Sequence, residues 1–139
     1  MSLRIRRVAY FYTTLRDRPG EAYRFLAELA TSDVHLHAFG AMPLGPDRSQ
    51  LTIFPERVEK LAAVAERIGL VLDGPYPAIL VQGDAKLESL AAIHERLYGV
   101  KINVYASTGV TDGEGQFGYL VYVAPNDIEA ALAALERMH

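Results

Sequence analysis

Cysteine is absent from the 139 residues, which excludes disulfides, thiolate metal sites and a cysteine nucleophile together. No uninterrupted apolar run approaches the ~18 residues that a membrane span requires. No long apolar stretch follows the basic opening Met1-Ser-Leu-Arg-Ile-Arg-Arg-Val8, so no signal peptide is expected and the expected location is cytoplasmic. Positive charge is not in excess: 14 Lys and Arg against 17 Asp and Glu give a net charge of -3, no electrostatic footprint for nucleic acid. The serines (Ser2, Ser32, Ser49, Ser89, Ser107) stand in no G-x-S-x-G context, so no nucleophile elbow is present. The glycine-rich stretch 109–118 lacks the lysine of a phosphate-binding loop and joins two strands, and it reads as a mobile hairpin.

Half of the chain is hydrophobic and 22% is charged, as in ordinary globular proteins. Within it, one pattern occurs twice. Ala9-Tyr-Phe-Tyr-Thr13 corresponds to Ile79-Leu-Val-Gln-Gly83, and Phe25-Leu-Ala-Glu-Leu29 to Ile93-His-Glu-Arg-Leu97. Val34, Leu36 and Ala38 correspond to Ile102, Val104 and Ala106, and Leu51–Val58 to Leu120–Ile128. An offset that stays near ~70 residues marks an internal duplication.

Periodicity gives each copy the same order. Apolar alternation predicts a strand over 5–13 and apolar residues at 22, 25, 26, 29 and 30 predict a helix over 21–31. Strands over 34–39 and 50–54 follow, then a helix opened by Pro55 and a short strand at 70–73. The second copy repeats strand 78–83, helix 86–98, strand 101–107, loop 108–115, strand 116–123 and helix 125–138. The fold class is α+β: two ferredoxin-like βαββαβ units in tandem, residues 1–74 and 75–139, each with its helices on one face of an antiparallel sheet. The last strand of the second unit is missing, so one sheet edge is expected to be open, covered or filled by another chain. A ~70-residue unit buries too little surface to stand alone, so the halves should pack on each other or on a partner.

Two groups of residues carry candidate chemistry. In the turn Arg16-Asp-Arg-Pro-Gly20, glycine lets a ligand approach the backbone and the following helix start offers unpaired N–H groups to an anion. Arg16 and Arg18 add charge-assisted donors and Asp17 can take an α-ammonium. The same residues also serve as a tight strand-to-helix turn, with Asp17 as helix cap. His35 and His37 fall two apart on a strand, on one face with Phe39; Tyr10 and Tyr12 share a face as well. Such a His/Tyr surface suits aromatic packing, a dimer face or a ligand. A histidine pair at this spacing can chelate a metal, but a third ligand is hard to name, since His94 lies on a helix and His139 is the last residue. No metal and no cofactor are therefore expected. Glu56, Glu59, Glu66, Glu88, Glu95 and Glu136 fall on predicted helices, several beside Arg or Lys, as on a solvated surface.

The segment Leu15-Arg-Asp-Arg-Pro-Gly-Glu-Ala22, with the βαββαβ order, resembles the ACT domain, a small amino-acid-sensing module. Two such units in a chain of this length resemble the tandem ACT-domain proteins of bacteria. Gly118-Tyr-Leu-Val-Tyr-Val-Ala-Pro-Asn-Asp-Ile-Glu-Ala-Ala131 is similar to their third strand and second helix. The resemblance implies regulatory, non-catalytic binding of an amino acid or related metabolite between paired units. It implies contacts from Asp17, Arg18, Pro19 and Gly20 and from the strand 34–39 of a neighbouring unit. It also implies a homodimer and a regulated enzyme as partner. The second copy has Gly83-Asp-Ala-Lys-Leu-Glu-Ser89 at the equivalent turn, without Pro-Gly, so the first copy is the expected site. Two other classes compete: a ligand-free dimerisation module, and a small metal-dependent enzyme using His35 and His37. An RNA-binding sheet lacks its basic-aromatic strand signature here.

Overall fold

The computed structural model describes residues 3–84 and 86–138. The elements are β1 (Leu3–Arg16), α1 (Glu21–Thr31), β2 (Leu36–Pro43), β3 (Arg48–Pro55), α2 (Val58–Ile68), β4 (Asp73–Asp84), α3 (Leu87–Gly99), β5 (Ala106–Thr111), β6 (Gln116–Tyr122) and α4 (Ile128–Glu136). They form two compact units: Ala9–Tyr76 is the first, and the residues up to Val8 with those from Pro77 onward are the second. No helix among the described residues is long and apolar enough to cross a membrane.

In the first unit the strand order is β2-β3-β1, and β3 pairs antiparallel with both neighbours. Side chains alternate across a strand. Phe11, Leu51 and Ile53 accordingly meet Phe25 and Leu29 of α1 and Leu61 and Val64 of α2 in one core. Both helices therefore cover one face. On the other face the Tyr10 ring lies 5.3 Å from Tyr12, 5.2 Å from Phe54 and 5.6 Å from Tyr76. Tyr10 and Phe54 are buried, so the expected tyrosine surface is mostly packed interior. Pro55 closes β3 instead of opening α2, whose N-cap is Arg57.

The second unit repeats the plan in the order β1-β4-β6-β5. Ile79, Val81, Tyr119, Val121 and Val123 face Ile93 and Leu97 of α3 and Ile128, Ala131 and Leu135 of α4. The Tyr119 hydroxyl lies 2.7 Å from His94 Nε2. Here the expectation of a missing last strand is corrected. Residues 3–8 of β1 belong to this unit and occupy the place beside β4. Leu3 and Ile5 pack into the second core, and Arg4 and Arg6 hydrogen-bond Gln82 of β4. The physical reason is length: at 14 residues β1 is long enough to serve both units, its residues 9–16 in the first and 3–8 in the second. Likewise β4 begins at Asp73 and runs through the Gly74-Pro-Tyr-Pro77 junction to Asp84, where a short strand at 70–73 and a break were expected.

The duplication extends to the helix ends. Asp33 and Lys101 have left-handed φ values of 57° and 61°. Val34 N–H donates to Leu29 C=O at 2.9 Å and Ile102 N–H to Leu97 C=O at 3.0 Å, the long-range bond of a Schellman cap. Each cap pushes the next apolar residue, Val34 or Ile102, into the core before the strand starts. The second strand of each unit therefore begins later than alternation predicts, at Leu36 and Ala106, and β5 takes in residues expected to be loop.

Candidate functional site

The turn 16–20 is built by three local causes. β1 ends at Arg16, whose carbonyl accepts a 2.9 Å bond from Arg18 N–H. Asp17 N–H donates to Asp47 C=O at 2.8 Å, which ties the turn to the β2–β3 connection. Gly20 then takes φ 88° and ψ -11° as N-cap of α1, with no side-chain cap bond, so Asp17 does not cap the helix. Left-handed φ is where glycine costs least.

Arg16, Asp17, Arg18, Pro19 and Gly20 are all exposed. None of the Arg16, Asp17 and Arg18 side chains has a hydrogen-bond or ion-pair partner among the described residues. Glu21 N–H donates to Arg18 C=O and Arg24 N–H to Gly20 C=O, while Ala22 N–H and Tyr23 N–H have no acceptor there. A β-carbon at Gly20 would meet nothing within 4 Å, so the space in front of the helix start is open. A helix start of this kind attracts an anion.

One residue of this site was missed in the sequence. The β1–β3 register sets Arg16 directly opposite Arg48, and like charges so placed repel each other. The equivalent pair in the second unit is Asp84 opposite Gln116, and there Gln116 Nε2 donates to Asp84 Oδ1 at 3.3 Å. The copies keep one geometry and differ in charge: the second pair satisfies itself, whereas the first presents two cations and no carboxylate. No local motif flags Arg48, because its role depends on strand register. In the second turn, Lys86 N–H donates to Asp84 C=O at 2.9 Å as Arg18 does to Arg16; Ala85 lies outside the described residues.

The histidines are not gathered with this turn within the unit. α1 spans 11 residues, about 16 Å at 1.5 Å per residue, and separates turn 16–20 from His35. His35 precedes β2, is exposed, and places Nε2 3.0 Å from Asp33 Oδ1. Asp33 Oδ2 also lies 3.4 Å from Lys60 Nζ. These partners hold the Asp33 carboxyl below the ordinary range: first the Lys60 hydrogen bond, then the Lys60 charge, then His35. His37 sits in a register shift between Leu36 and Ala38, and Leu36 and Phe39 both pack on the core. Phe39 therefore does not share an outer face with the histidines, because the bulge interrupts the alternation. Among the described residues no three His, Cys, Asp or Glu side chains are grouped to hold a metal; His139 lies outside them. An open pocket of about 450 Å³ in the second unit is lined by Ala92, Glu95, Arg96, Gly99, Val100 and Met138. It contains no residue of either candidate group.

Neither a protein-family profile nor a curated protein sequence matches the chain. Solved structures do. A Bacteroides thetaiotaomicron protein aligns with a TM-score of 0.81 at 10% identity, over 96% of this chain and 89% of that one. The ligand-free regulatory subunit of aspartate kinase from Thermus thermophilus aligns with a TM-score of 0.69 at 15% identity, over 99% and 96%. The corresponding subunit from Thermus flavus gives 0.57 at 19% identity, over 98% and 94%. At these identities the likeness establishes the fold alone: an ACT-like α+β architecture of the kind seen in aspartate kinase regulatory subunits.

Proposed function

We propose that this chain is a non-catalytic regulatory protein of two tandem ACT-like units. It binds an amino acid or related small carboxylate at the turn 16–20 of the first unit. The observation that carries this reading is the Arg16–Arg48 pair beside the open start of α1. Two cations without an ion-pair partner among the described residues and two helix N–H groups without acceptors suit a ligand carboxylate, and Asp17 suits its α-ammonium. His35 and His37 are too far along α1 to reach that ligand in the same unit. In this reading they contribute from a neighbouring unit in a cytoplasmic homodimer, with a regulated enzyme as further partner. The aspartate kinase regulatory subunits of like fold support that kind of partnership. Ligand binding across two units shifts the population toward one packing.

Calorimetry and thermal shift with a panel of amino acids at millimolar concentration test the proposal. A saturable response is expected, lost in Gly20→Leu, whose side chain projects into open space while the left-handed φ costs about 1 kcal/mol of stability. Silence across the panel refutes it. A second reading, a dimerisation module without ligand, is favoured by the bare edge strand β5, all six residues of which are exposed. A stable dimer that no metabolite alters identifies that case.

A further inference from the structure

Outside the turn, a second cationic cluster lies in the second unit, and among the described residues no carboxylate lies within ion-pair distance of it. Arg4 NH2 donates to Gln82 Oε1 at 3.1 Å and Arg6 NH2 to the same oxygen at 2.7 Å. Two guanidinium groups therefore converge to within about 6 Å around one neutral amide oxygen, an arrangement that like-charge repulsion opposes. Neither arginine has an ion-pair partner among the described residues, although Arg7, next to Arg6 in the strand, pairs with Glu129. Arg6 is also partly desolvated: its Nε is buried without a hydrogen-bond partner, and an uncompensated buried cation is costly.

The surroundings leave room for a ligand. Leu3 and Ile5 face the core, so alternation sends Arg4 and Arg6 to the opposite sheet face. Gln82 lies opposite Gly118 in the β4–β6 register, and a β-carbon on Gly118 would meet nothing within 4 Å. The face thus presents two planar donor forks and the Gln82 amide beside an open floor, with Asp84 two residues further along β4 already bonded to Gln116.

We infer that Arg4, Arg6 and Gln82 form an oxyanion-binding site, in which the Gln82 oxygen occupies part of the place of a bound phosphate or carboxylate. An oxyanion has several acceptor oxygens and matches two guanidinium forks bidentately; a single amide oxygen serves both forks without neutralising either.

Thermal unfolding and calorimetry with inorganic phosphate, acetate and chloride at matched ionic strength test the site. Phosphate is expected to bind saturably and to stabilise the protein more than chloride does. A response to acetate that Arg4→Gln and Arg6→Gln abolish assigns carboxylate ligands to the site, and response to phosphate alone assigns phosphoryl ligands. Arg4→Gln and Arg6→Gln should each weaken binding at least tenfold, while Arg57→Gln, at an arginine that pairs with Glu59 outside both proposed sites, leaves it within twofold. Gln82→Glu supplies the anion internally, so it should abolish binding and raise the melting temperature in anion-poor buffer. Gly118→Val should block binding by filling the floor. Equal stabilisation by phosphate and chloride overturns the inference. So does phosphate binding that survives Arg4→Gln and Arg6→Gln, or a lowered melting temperature in Gln82→Glu.

Discussion

At the scale of single residues, both copies pay for their helix ends with strained conformations. Asp33 and Lys101 hold left-handed φ values where glycine is preferred. Lys101→Gly should therefore stabilise the protein by about 1 kcal/mol, the part of the left-handed penalty not lost to the freer unfolded chain; urea unfolding measures it. Asp33 behaves differently because its carboxylate joins Lys60 and His35. Its lowered pKa means that its contribution to stability is complete above the ordinary carboxylate range and is lost as pH falls through the lowered value. Asp33→Asn should flatten the acid limb of a plot of urea midpoint against pH, most visibly at low salt, because the group is exposed and screened. The duplication was readable here at the level of apolar residues. The caps were not, since neither Asp nor Lys announces a left-handed residue.

At the scale of elements, the two outer strands differ in protection. β2 carries a register shift at His37 and ends in Pro43, two devices that discourage a further strand from adding. β5, Ala106-Ser-Thr-Gly-Val-Thr111, has neither charge nor proline, and Val110 is 70% exposed. Asp112 N–H bonds Gln116 C=O, so antiparallel geometry pairs 106, 108 and 110 with β6 and turns the N–H groups of 107, 109 and 111 outward. If the proposed homodimer uses this edge, Val110→Lys and Thr111→Pro each shift sedimentation toward monomer with unchanged circular dichroism, whereas Met42→Lys on β2 does not. Gly109 is bound to this strand for another reason. A β-carbon there would lie 3.0 Å from the Tyr119 ring, so Gly109→Ala should cost about 1–2 kcal/mol through overpacking.

At the scale of the whole molecule, the first strand completes the unit formed by the last residues. Leu3 is 6% exposed in the second core, so Leu3→Ala should cost about 3 kcal/mol as a buried large-to-small change. Deleting residues 1–8 should speed amide exchange in β4 and β6 far more than in β2 and β3, which hydrogen-exchange mass spectrometry resolves. A chain whose second unit folded from residues 75–139 alone would show no such asymmetry.

The α+β class, the helices α1 to α4 and the turn 16–20 were legible in the sequence by itself, because periodicity, glycine and proline act over a few residues. Tertiary structure decided the rest. It showed that β1 and β4 each run through both units, that Arg48 faces Arg16, that the bulge removes Phe39 from the histidine face, and that Arg4 and Arg6 meet at Gln82. Each of these depends on pairing between segments far apart in the chain, where strand register and not local propensity determines which side chains meet.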